Sequence, residues 1–358
     1  MMIKKSSPAI KLMRWVHQWL GLIAGILLFF AVVTATYLAG NGVVSGISRT
    51  FVSSGVPVEM LSAQEKAVYT QQLFEKYPKA KSLTFPTESV PYFEMFKSGG
   101  RVLIDKNLEV IDSASPTSSS IRRFMFFMHR NFFLSKVGAQ INATMSIITV
   151  ALSVIGVILL IPIWRSIKLK HAVPKNTKRA SLIRSHQLLG LFIFVPLVVA
   201  ALTGAALTWR DTTNTLLSSG VNFTDKKRVQ NTPTSVESTA ILVQQQWPDK
   251  ALLNVFKRGA RRGNGAAYTF RFETSGFKWL DGFDTISVSY PRVPNMTFSE
   301  FASLPINEQI RGLIRSLHDG LRMPLGYEVW LFLTMLLSSH VIGASVFSFT
   351  HSLVKKRR

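Results

Sequence analysis

Four long, almost uncharged apolar stretches constrain this chain more than any other feature of its sequence. They cover about residues 19–40, 141–164, 188–209 and 326–349. Each is close to the roughly 20 residues that an α-helix needs to cross the hydrocarbon core of a bilayer. The first stretch is too long for the apolar part of a signal peptide, so we expect it to be retained. The sequence therefore predicts an α-helical membrane protein with four transmembrane helices.

The basic residues cluster at the ends of these stretches. The formal net charge is +23, and the segment 165–184 carries seven Lys or Arg and no acid. In a soluble protein such a charge suggests nucleic acid, but Lys and Arg also crowd the cytoplasmic flanks of membrane helices. The N-terminus, the segment 165–184 and the C-terminal KKRR are therefore predicted to be cytoplasmic. We expect a bilayer as partner and no nucleic acid.

The chain repeats itself. The motif HQWLG at 17–21 returns as HQLLG at 186–190. Each copy opens an apolar stretch that is followed by a polar segment of roughly 100 residues, a histidine, a glycine and a second apolar stretch containing VIG. This order predicts a four-helix bundle built from a duplicated half, with a pseudo-twofold axis along the membrane normal.

The two polar segments also match in outline. In each, a stretch with helical periodicity ends at an aromatic–proline pair, Tyr77-Pro78 in the first and Trp247-Pro248 in the second. Proline ends helices, and the alternating apolar runs that follow are typical of strands. Each segment is therefore predicted to form its own small α+β module outside the membrane.

Four histidines occupy equivalent positions in the two halves. Packing about the pseudo-twofold axis would place His17 opposite His186 near the cytoplasmic surface, and His129 opposite His318 near the outer surface. A single histidine at a membrane interface is commonly an amphipathic residue with its ring among the headgroups. Two symmetry-related pairs favour metal ligands instead.

A fifth histidine breaks this symmetry. His340 lies fourteen residues beyond Gly326, about 21 Å along a helix and within the apolar zone. An ionisable residue at such a depth indicates function. It could replace His17 or His186, lie between two cofactors, or form a hydrogen bond within the bundle. No role is predicted for His171 or His351.

Paired histidines suit haem. Two neutral imidazoles from opposing helices give six-coordinate iron, and the absence of cysteine excludes iron–sulfur clusters and covalent haem attachment. We therefore expect non-covalent b-type haem, in two copies. The candidate axial ligands are His17, His129, His186, His318 and His340, and nearby arginines that could pair with haem propionates or anchor helix ends are Arg14, Arg130, Arg184 and Arg322. A histidine path for metal transport is the alternative. It is disfavoured because it would need carboxylates in the spans, where we expect none.

Longer segments carry a resemblance to a known family. The sequences HQWLGLIAGILLFFAVVTATYLAG, SHQLLGLFIFVPLVVAALTGAAL, MHRNFF and LHDGLRMPLG resemble the PepSY-associated transmembrane family, over nearly the whole chain. The resemblance implies a protein of the bacterial inner membrane with two PepSY modules in the periplasm. The implied segments are 1–40 (N-terminus and first helix), 41–138 (first module), 139–164 (second helix), 165–185 (cytoplasmic loop), 186–209 (third helix), 210–325 (second module), 326–350 (fourth helix) and 351–358 (tail).

Members of that family include ferric-siderophore reductases that hold b-type haems between the helices. The resemblance implies a dihaem electron-transfer protein that reduces a periplasmic acceptor, such as a ferric siderophore, to release Fe(II). The chain shows no flavin domain and no GxGxxG motif, so a quinol or a separate cytoplasmic reductase is the expected electron donor. The alternative is a non-enzymatic PepSY membrane protein that acts as a binding, sensory or peptidase-regulating module.

Overall fold

The structure is a computed structural model, and it separates the chain into two compact units. It describes residues 7–53, 61–87, 91–97, 100–113, 116–220, 225–228, 235–258, 267–274, 282–289, 295–320 and 323–357. A helical unit comprises Met1–Val44, Arg122–Leu216 and Ile314–Arg358, and a sheet unit comprises Ser45–Ile121 and Leu217–Leu313.

Four long helices dominate the helical unit: α1 (Pro8–Ser53), α4 (Ser135–Leu160), α5 (Arg179–Thr208) and α9 (Leu325–Arg357). Each is long and apolar enough to cross a membrane. Their outer faces carry large apolar side chains; Phe192 and Val195, for example, are each 61% exposed. Such surfaces are stable in lipid and not in water. The prediction of a multi-pass membrane protein is therefore confirmed.

The long helices pack as a bundle. Helix α5 contacts both α4 and α9 along its length. Helix α1 contacts α9 through a small apolar core of Val32, Leu331 and Met335, and through a hydrogen bond of 3.1 Å between the hydroxyls of Thr36 and Ser339. These contacts fix which helix faces are turned inward.

Two shorter helices, α3 (Pro116–Asn131) and α8 (Ile306–Asp319), each precede a long helix. The turn from α3 to α4 is tight, because Phe132, Phe133 and Ser135 all have positive φ. A Cβ atom on Gly138 would lie 1.8 Å from the carbonyl oxygen of Asn131, so only glycine fits there. A further short helix, α6 (Arg210–Leu216), follows α5, and the segment between α4 and α5 forms two turns of 3-10 helix, Ile161–Ser166 and Leu169–His171.

The sheet unit contains the helices α2 (Ala63–Lys76) and α7 (Val236–Gln246). Each begins at a serine, Ser62 or Ser235, whose side chain caps the first turn, and each ends before an aromatic–proline pair as predicted. The strands of the first segment are β1 (Ser82–Thr84), β2 (Phe93–Lys97), β3 (Gly100–Ile104) and β4 (Val110–Ser113). Those of the second are β5 (Asp225–Arg228), β6 (Leu252–Arg258), β7 (Ala267–Glu273), β8 (Phe283–Ser289) and β9 (Asn295–Ser299).

These strands form one antiparallel sheet of nine strands within the described residues, in the order β4-β3-β2-β1-β6-β7-β8-β9-β5. Its core includes Leu83, Val255, Phe270 and Ile286, each completely buried. The central pair joins β1 to β6, with Leu83 opposite Val255. From this pair β1–β4 and β6–β9 run outward in chain order, each as a meander, and β5 pairs with β9 at the far edge.

The structure therefore differs from two separate modules. Strands β1 and β6 would each expose unpaired backbone groups at a sheet edge, and pairing them satisfies those groups. The boundaries differ as well. Helix α1 continues to Ser53 rather than ending at residue 40, because no proline or charged run interrupts it. Residues 122–138, predicted as part of the first module, belong to the helical unit.

Candidate functional site

The two histidines carried by the short helices meet inside the helical unit. The ring centres of His129 in α3 and His318 in α8 are 6.0 Å apart, with 32° between the ring planes. We call them the outer pair. The Nδ1 atom of His129 lies 2.9 Å from the carbonyl oxygen of Ala31, and that of His318 lies 3.1 Å from the carbonyl oxygen of Ala200. Because a carbonyl only accepts, each Nδ1 carries the proton and donates it.

The two carbonyls have matching surroundings. A threonine lies three residues beyond each of them. The hydroxyl of Thr34 is 2.8 Å from the carbonyl of Phe30 and 2.9 Å from that of Ala31, and the hydroxyl of Thr203 is 2.7 Å from the carbonyl of Val199 and 3.1 Å from that of Ala200. The Thr203 hydroxyl also lies 3.2 Å from the Nδ1 of His318. With Nδ1 protonated, the Nε2 atom of each ring keeps its lone pair. No hydrogen bond to either Nε2 atom occurs among the described residues. The outer pair therefore presents two neutral nitrogens that are available as ligands.

The outer pair is also kept neutral by its surroundings. Burial lowers the pKa of His129. Burial, followed by the nearby ring of His129, lowers the pKa of His318 to about 4. Both rings are uncharged at pH 7, which is the form that binds metals.

The helices that carry these histidines are tied to the long helices that follow them. The side-chain amide of Asn142 in α4 donates to the carbonyl of His129 at 2.7 Å. The hydroxyl of Tyr327 in α9 donates to the carbonyl of Leu317, next to His318. Each half of the chain thus anchors its short helix on its own second long helix.

The histidines of the long helices form an inner pair. The ring centres of His17 and His186 are 6.1 Å apart, with 75° between the planes. The hydroxyl of Ser345 donates to the carbonyl of Val341 at 2.7 Å, so it accepts from the Nδ1 of His186 at 2.8 Å. The Nδ1 atom of His17 is buried without a hydrogen bond, although the Leu152 carbonyl lies close to it.

The two pairs are separated by the same distance along both halves. Ala31 and Ala200, which hold the outer pair, each lie fourteen residues after an inner histidine, His17 or His186. Fourteen helical residues rise about 21 Å. The pairs are the partners that the sequence repeat predicts. Ligation by them stays a prediction.

Glycines line both pairs. A Cβ atom on Gly204 would lie 3.0 Å from the ring of His318, and one on Gly156 would lie 3.2 Å from the ring of His17. One turn beyond each inner histidine, Gly21 and Gly190 have no atom within 4 Å of the position of a Cβ. The inner rings therefore face open space on the side of these glycines. In the sequence, Gly21 and Gly190 end the repeated HQWLG and HQLLG motifs, and Gly156 belongs to the repeated VIG.

The remaining candidates lie elsewhere. His340 is exposed on the outer side of α9, while Ser338 and Val341 face inward, and the structure does not bring it to either pair. The ring of His351 stacks on Phe347, its centre 5.9 Å away, near the end of the same helix. The side chain of His340 points away from the bundle because its position on α9 is about 100° from the buried Val341.

Three of the candidate arginines lie on the surface of the helical unit. Arg14, Arg130 and Arg184 are exposed, and none forms an ion pair within the part of the chain that the structure describes. Arg322 lies outside the described residues.

The expectation that the spans contain no carboxylate is wrong. Glu328 lies in the first turn of α9, where its side chain is buried with 7% exposure.

Neither pair forms a complete site for a bare metal ion. In the described residues no group of three or more His, Cys, Asp or Glu side chains is placed to hold one. Each pair therefore consists of two imidazole rings with no third side chain of these types placed beside them to complete such a site.

A comparison with known protein families identifies the family of this chain. The sequence profile of the PepSY-associated TM region matches residues 14–348 and so contains all four paired histidines. The chain belongs to the PepSY-associated transmembrane family. No curated protein gives a significant match. The resemblance inferred from the histidine motifs is confirmed.

Proposed function

We propose that this member of the PepSY-associated transmembrane family is a b-type dihaem protein that moves electrons across the inner membrane to a periplasmic acceptor. The observation that carries the proposal is the pair of facing histidines, found twice. Two imidazoles on opposite sides of one metal ion, each with a bond of about 2 Å to it, place their ring centres roughly 6 Å apart. The observed separations are 6.0 and 6.1 Å.

The hydrogen bonds made by the Nδ1 atoms of these histidines also fit metal binding. A histidine that binds metal commonly donates its other ring N–H to a carbonyl or a similar acceptor, which fixes the ring and its tautomer. His129, His318 and His186 all do so through Nδ1. This arrangement leaves the lone pair of Nε2 free in each of these three rings.

The shape of the site favours a flat group that brings its own equatorial ligands. Each pair would hold such a group through two imidazole nitrogens, and no group of three or more His, Cys, Asp or Glu side chains is placed to hold a bare ion in the described residues. Gly21 and Gly190 leave open space beside the inner pair. The exposed Arg14 and Arg184 lie within a turn of that pair, where haem propionates would need cations.

In this function, the histidines would hold the haems and neighbouring groups would orient the histidine rings. His17 and His186 would hold one haem and His129 and His318 the other, and haem when bound supplies one-electron exchange at its iron. The carbonyls of Ala31 and Ala200 hold the outer rings, and Ser345 holds one inner ring. The separation of about 21 Å between the pairs lets two sites cover most of a ~30 Å hydrocarbon core that one site cannot.

The topology and the exchange partners belong to the same proposal. The basic ends of the chain favour a cytoplasmic N-terminus and C-terminus, with the sheet unit in the periplasm. Two features support an internal duplication: the matching meanders on either side of the β1–β6 pair, and the equal spacing of fourteen residues. The proposed donor is a quinol or a cytoplasmic reductase. The proposed acceptor is a ferric siderophore, whose hard oxygen ligands release iron after reduction to Fe(II).

Haem content tests the proposal directly. The purified full-length protein should show a Soret band, with sharp α and β bands after reduction, and two haems per chain. The variants H186A and H318A should each retain about one haem, and the matched control H340A should retain two. A folded but colourless wild-type protein would contradict the proposal and favour a non-enzymatic PepSY protein.

The acceptor is tested separately. The reduced protein should be reoxidised on anaerobic mixing with a ferric hydroxamate siderophore, and a ferrous chelator should trap Fe(II) in proportion. Reduced haem that persists in the presence of the siderophore would exclude this class of acceptor.

A further inference from the structure

A basic cavity lies in the helical unit, between the segment that follows α4 and the first turns of α5. Its volume is about 330 Å³, and its polar lining consists of Ser166, Lys168, Lys170, His171, Arg184 and Gln187. A volume of this size is at the lower end of the range for ligand pockets. Sequence reasoning assigned no role to His171.

The charges around this cavity have no internal partner. Residues 165–187 contain no Asp or Glu. None of the three cationic side chains, Lys168, Lys170 and Arg184, forms an ion pair with another described residue. Like charges that converge on one cavity repel each other unless an anion joins them. The cavity is therefore complementary to a compact anion.

The segment that forms the cavity has a defined structure. The buried hydroxyl of Ser185 donates to the carbonyl of Ala172 at 2.7 Å and fastens the segment to α5. The backbone N–H of Lys175 donates to the hydroxyl of Ser181 at 2.9 Å. A 3-10 turn, closed by the N–H of His171 on the carbonyl of Lys168 at 2.9 Å, places these two residues on the same wall.

The ionisation of His171 reports the same positive field. The pKa of His171 is lowered by desolvation first, and then by the positive charges of Arg184, Lys170, Lys168 and Lys175. These cations face the ring from both the segment and α5. A bound anion would offset their charge and favour protonation of the ring.

We propose that this cavity is a binding site for a phosphate group. Lysine ammonium groups supply charge, arginine supplies a planar pair of donors, and the serine hydroxyl and glutamine amide supply neutral donors, which together suit the oxygens of a phosphate. The location fits a lipid source, because Ser166 ends the second candidate span and Arg184 lies near the start of the third. Basic pockets at this level bind phospholipid headgroups. A soluble phosphate would be held by the same groups.

Binding measurements on the full-length protein test the site and distinguish its two sources. One arm incorporates the protein into nanodiscs of phosphatidylcholine with a few per cent cardiolipin and measures retained cardiolipin by native mass spectrometry. The other arm titrates inorganic pyrophosphate by calorimetry. The variant K168Q/K170Q should bind the ligand about tenfold more weakly, since it loses two charge-assisted contacts. The control K178Q/R179Q removes the same charge from exposed positions outside the cavity and should bind within about twofold of wild type.

The outcomes separate clearly. Retention of cardiolipin alone identifies a lipid site, and binding of pyrophosphate identifies a site for a soluble phosphate. Equal losses in the two double variants, or no binding of either probe by the wild type, would overturn the proposal. The measurement does not require haem, so a colourless preparation would refute the proposed function and leave this test intact.

A second readout follows the histidine itself. Bound phosphate should raise the pKa of His171, seen as a shift in the pH titration of its imidazole NMR signal. The signal is assigned by its loss in H171N. A titration that is the same with and without the phosphate probe would contradict binding in this cavity.

Discussion

The outer and inner histidine pairs have almost the same separation, 6.0 and 6.1 Å, but they are held by different parts of the chain. Both outer rings donate to backbone carbonyls, Ala31 and Ala200. In the inner pair, one ring donates to the side chain of Ser345, and the other, His17, has no hydrogen bond at Nδ1. The rings of the outer pair are thus oriented by backbone carbonyls, which a side-chain substitution does not remove. The orientation of the inner rings depends on one side chain and on packing.

The largest expected effect tests whether backbone geometry sets the outer pair. In the variant G138A, the new methyl group would lie 1.8 Å from the carbonyl oxygen of Asn131, so the turn that carries α3 must open. We expect a loss of about 3 kcal/mol or more in the free energy of unfolding, because backbone cannot give way as a side chain can. Thermal unfolding in detergent measures it.

The matched control is the glycine in the first turn of α9. The variant G326A meets no atom within 4 Å and should unfold close to the wild-type temperature. A wild-type melting temperature for G138A would show that the turn is not what positions His129.

The second prediction compares one glycine in each pair. A methyl group on Gly204 would lie 3.0 Å from the ring of His318, and one on Gly156 would lie 3.2 Å from the ring of His17. The ring of His318 is fixed by its bond to Ala200, whereas that of His17 has no such bond and can move. We therefore expect G204A to lose roughly 1–3 kcal/mol and G156A clearly less.

Denaturant titration of both proteins, together with their absorption spectra, measures this difference. The variant G42A, which meets no atom within 4 Å, serves as the reference. A greater loss in G156A than in G204A would reverse the proposed difference in rigidity between the pairs.

The smallest expected effects come from the hydroxyl groups near each pair. The variant S345A removes the hydroxyl that accepts from the Nδ1 of His186, and should cost about 1 kcal/mol. The variant T203V removes a hydroxyl that lies 3.2 Å from the Nδ1 of His318 but leaves the Ala200 carbonyl in place, and should cost less than about 0.5 kcal/mol. Unfolding of both variants, with the reduction potentials of any bound haem, measures the contrast. Equal effects would show that the inner pair does not depend on Ser345 more than the outer pair depends on Thr203.

Much of this architecture was predictable from local sequence. The four spans follow from composition, since about 20 consecutive apolar residues are stable as a helix in lipid. The ends of α2 and α7 follow from Tyr77-Pro78 and Trp247-Pro248, because proline cannot continue a helix. The hydrogen bonds of the outer pair could not be predicted from local sequence, since the carbonyls of Ala31 and Ala200 carry no signal of their own there. Their partnership with His129 and His318 arises only when α3 and α8 fold back onto α1 and α5.

The sequence by itself determined the four membrane helices, the two pairs of equivalent histidines, the family, and the helix-and-strand content of the polar segments, because these depend on hydrophobicity, periodicity and repetition along the chain. Tertiary structure decided the direction in which each side chain points. It turned His340 outward, joined the two predicted modules into one sheet, and placed His171 in a basic cavity. The physical reason is that a helix fixes only the relative angles of its residues. The packing of neighbouring helices and the pairing of strand edges decide which of those angles face a partner.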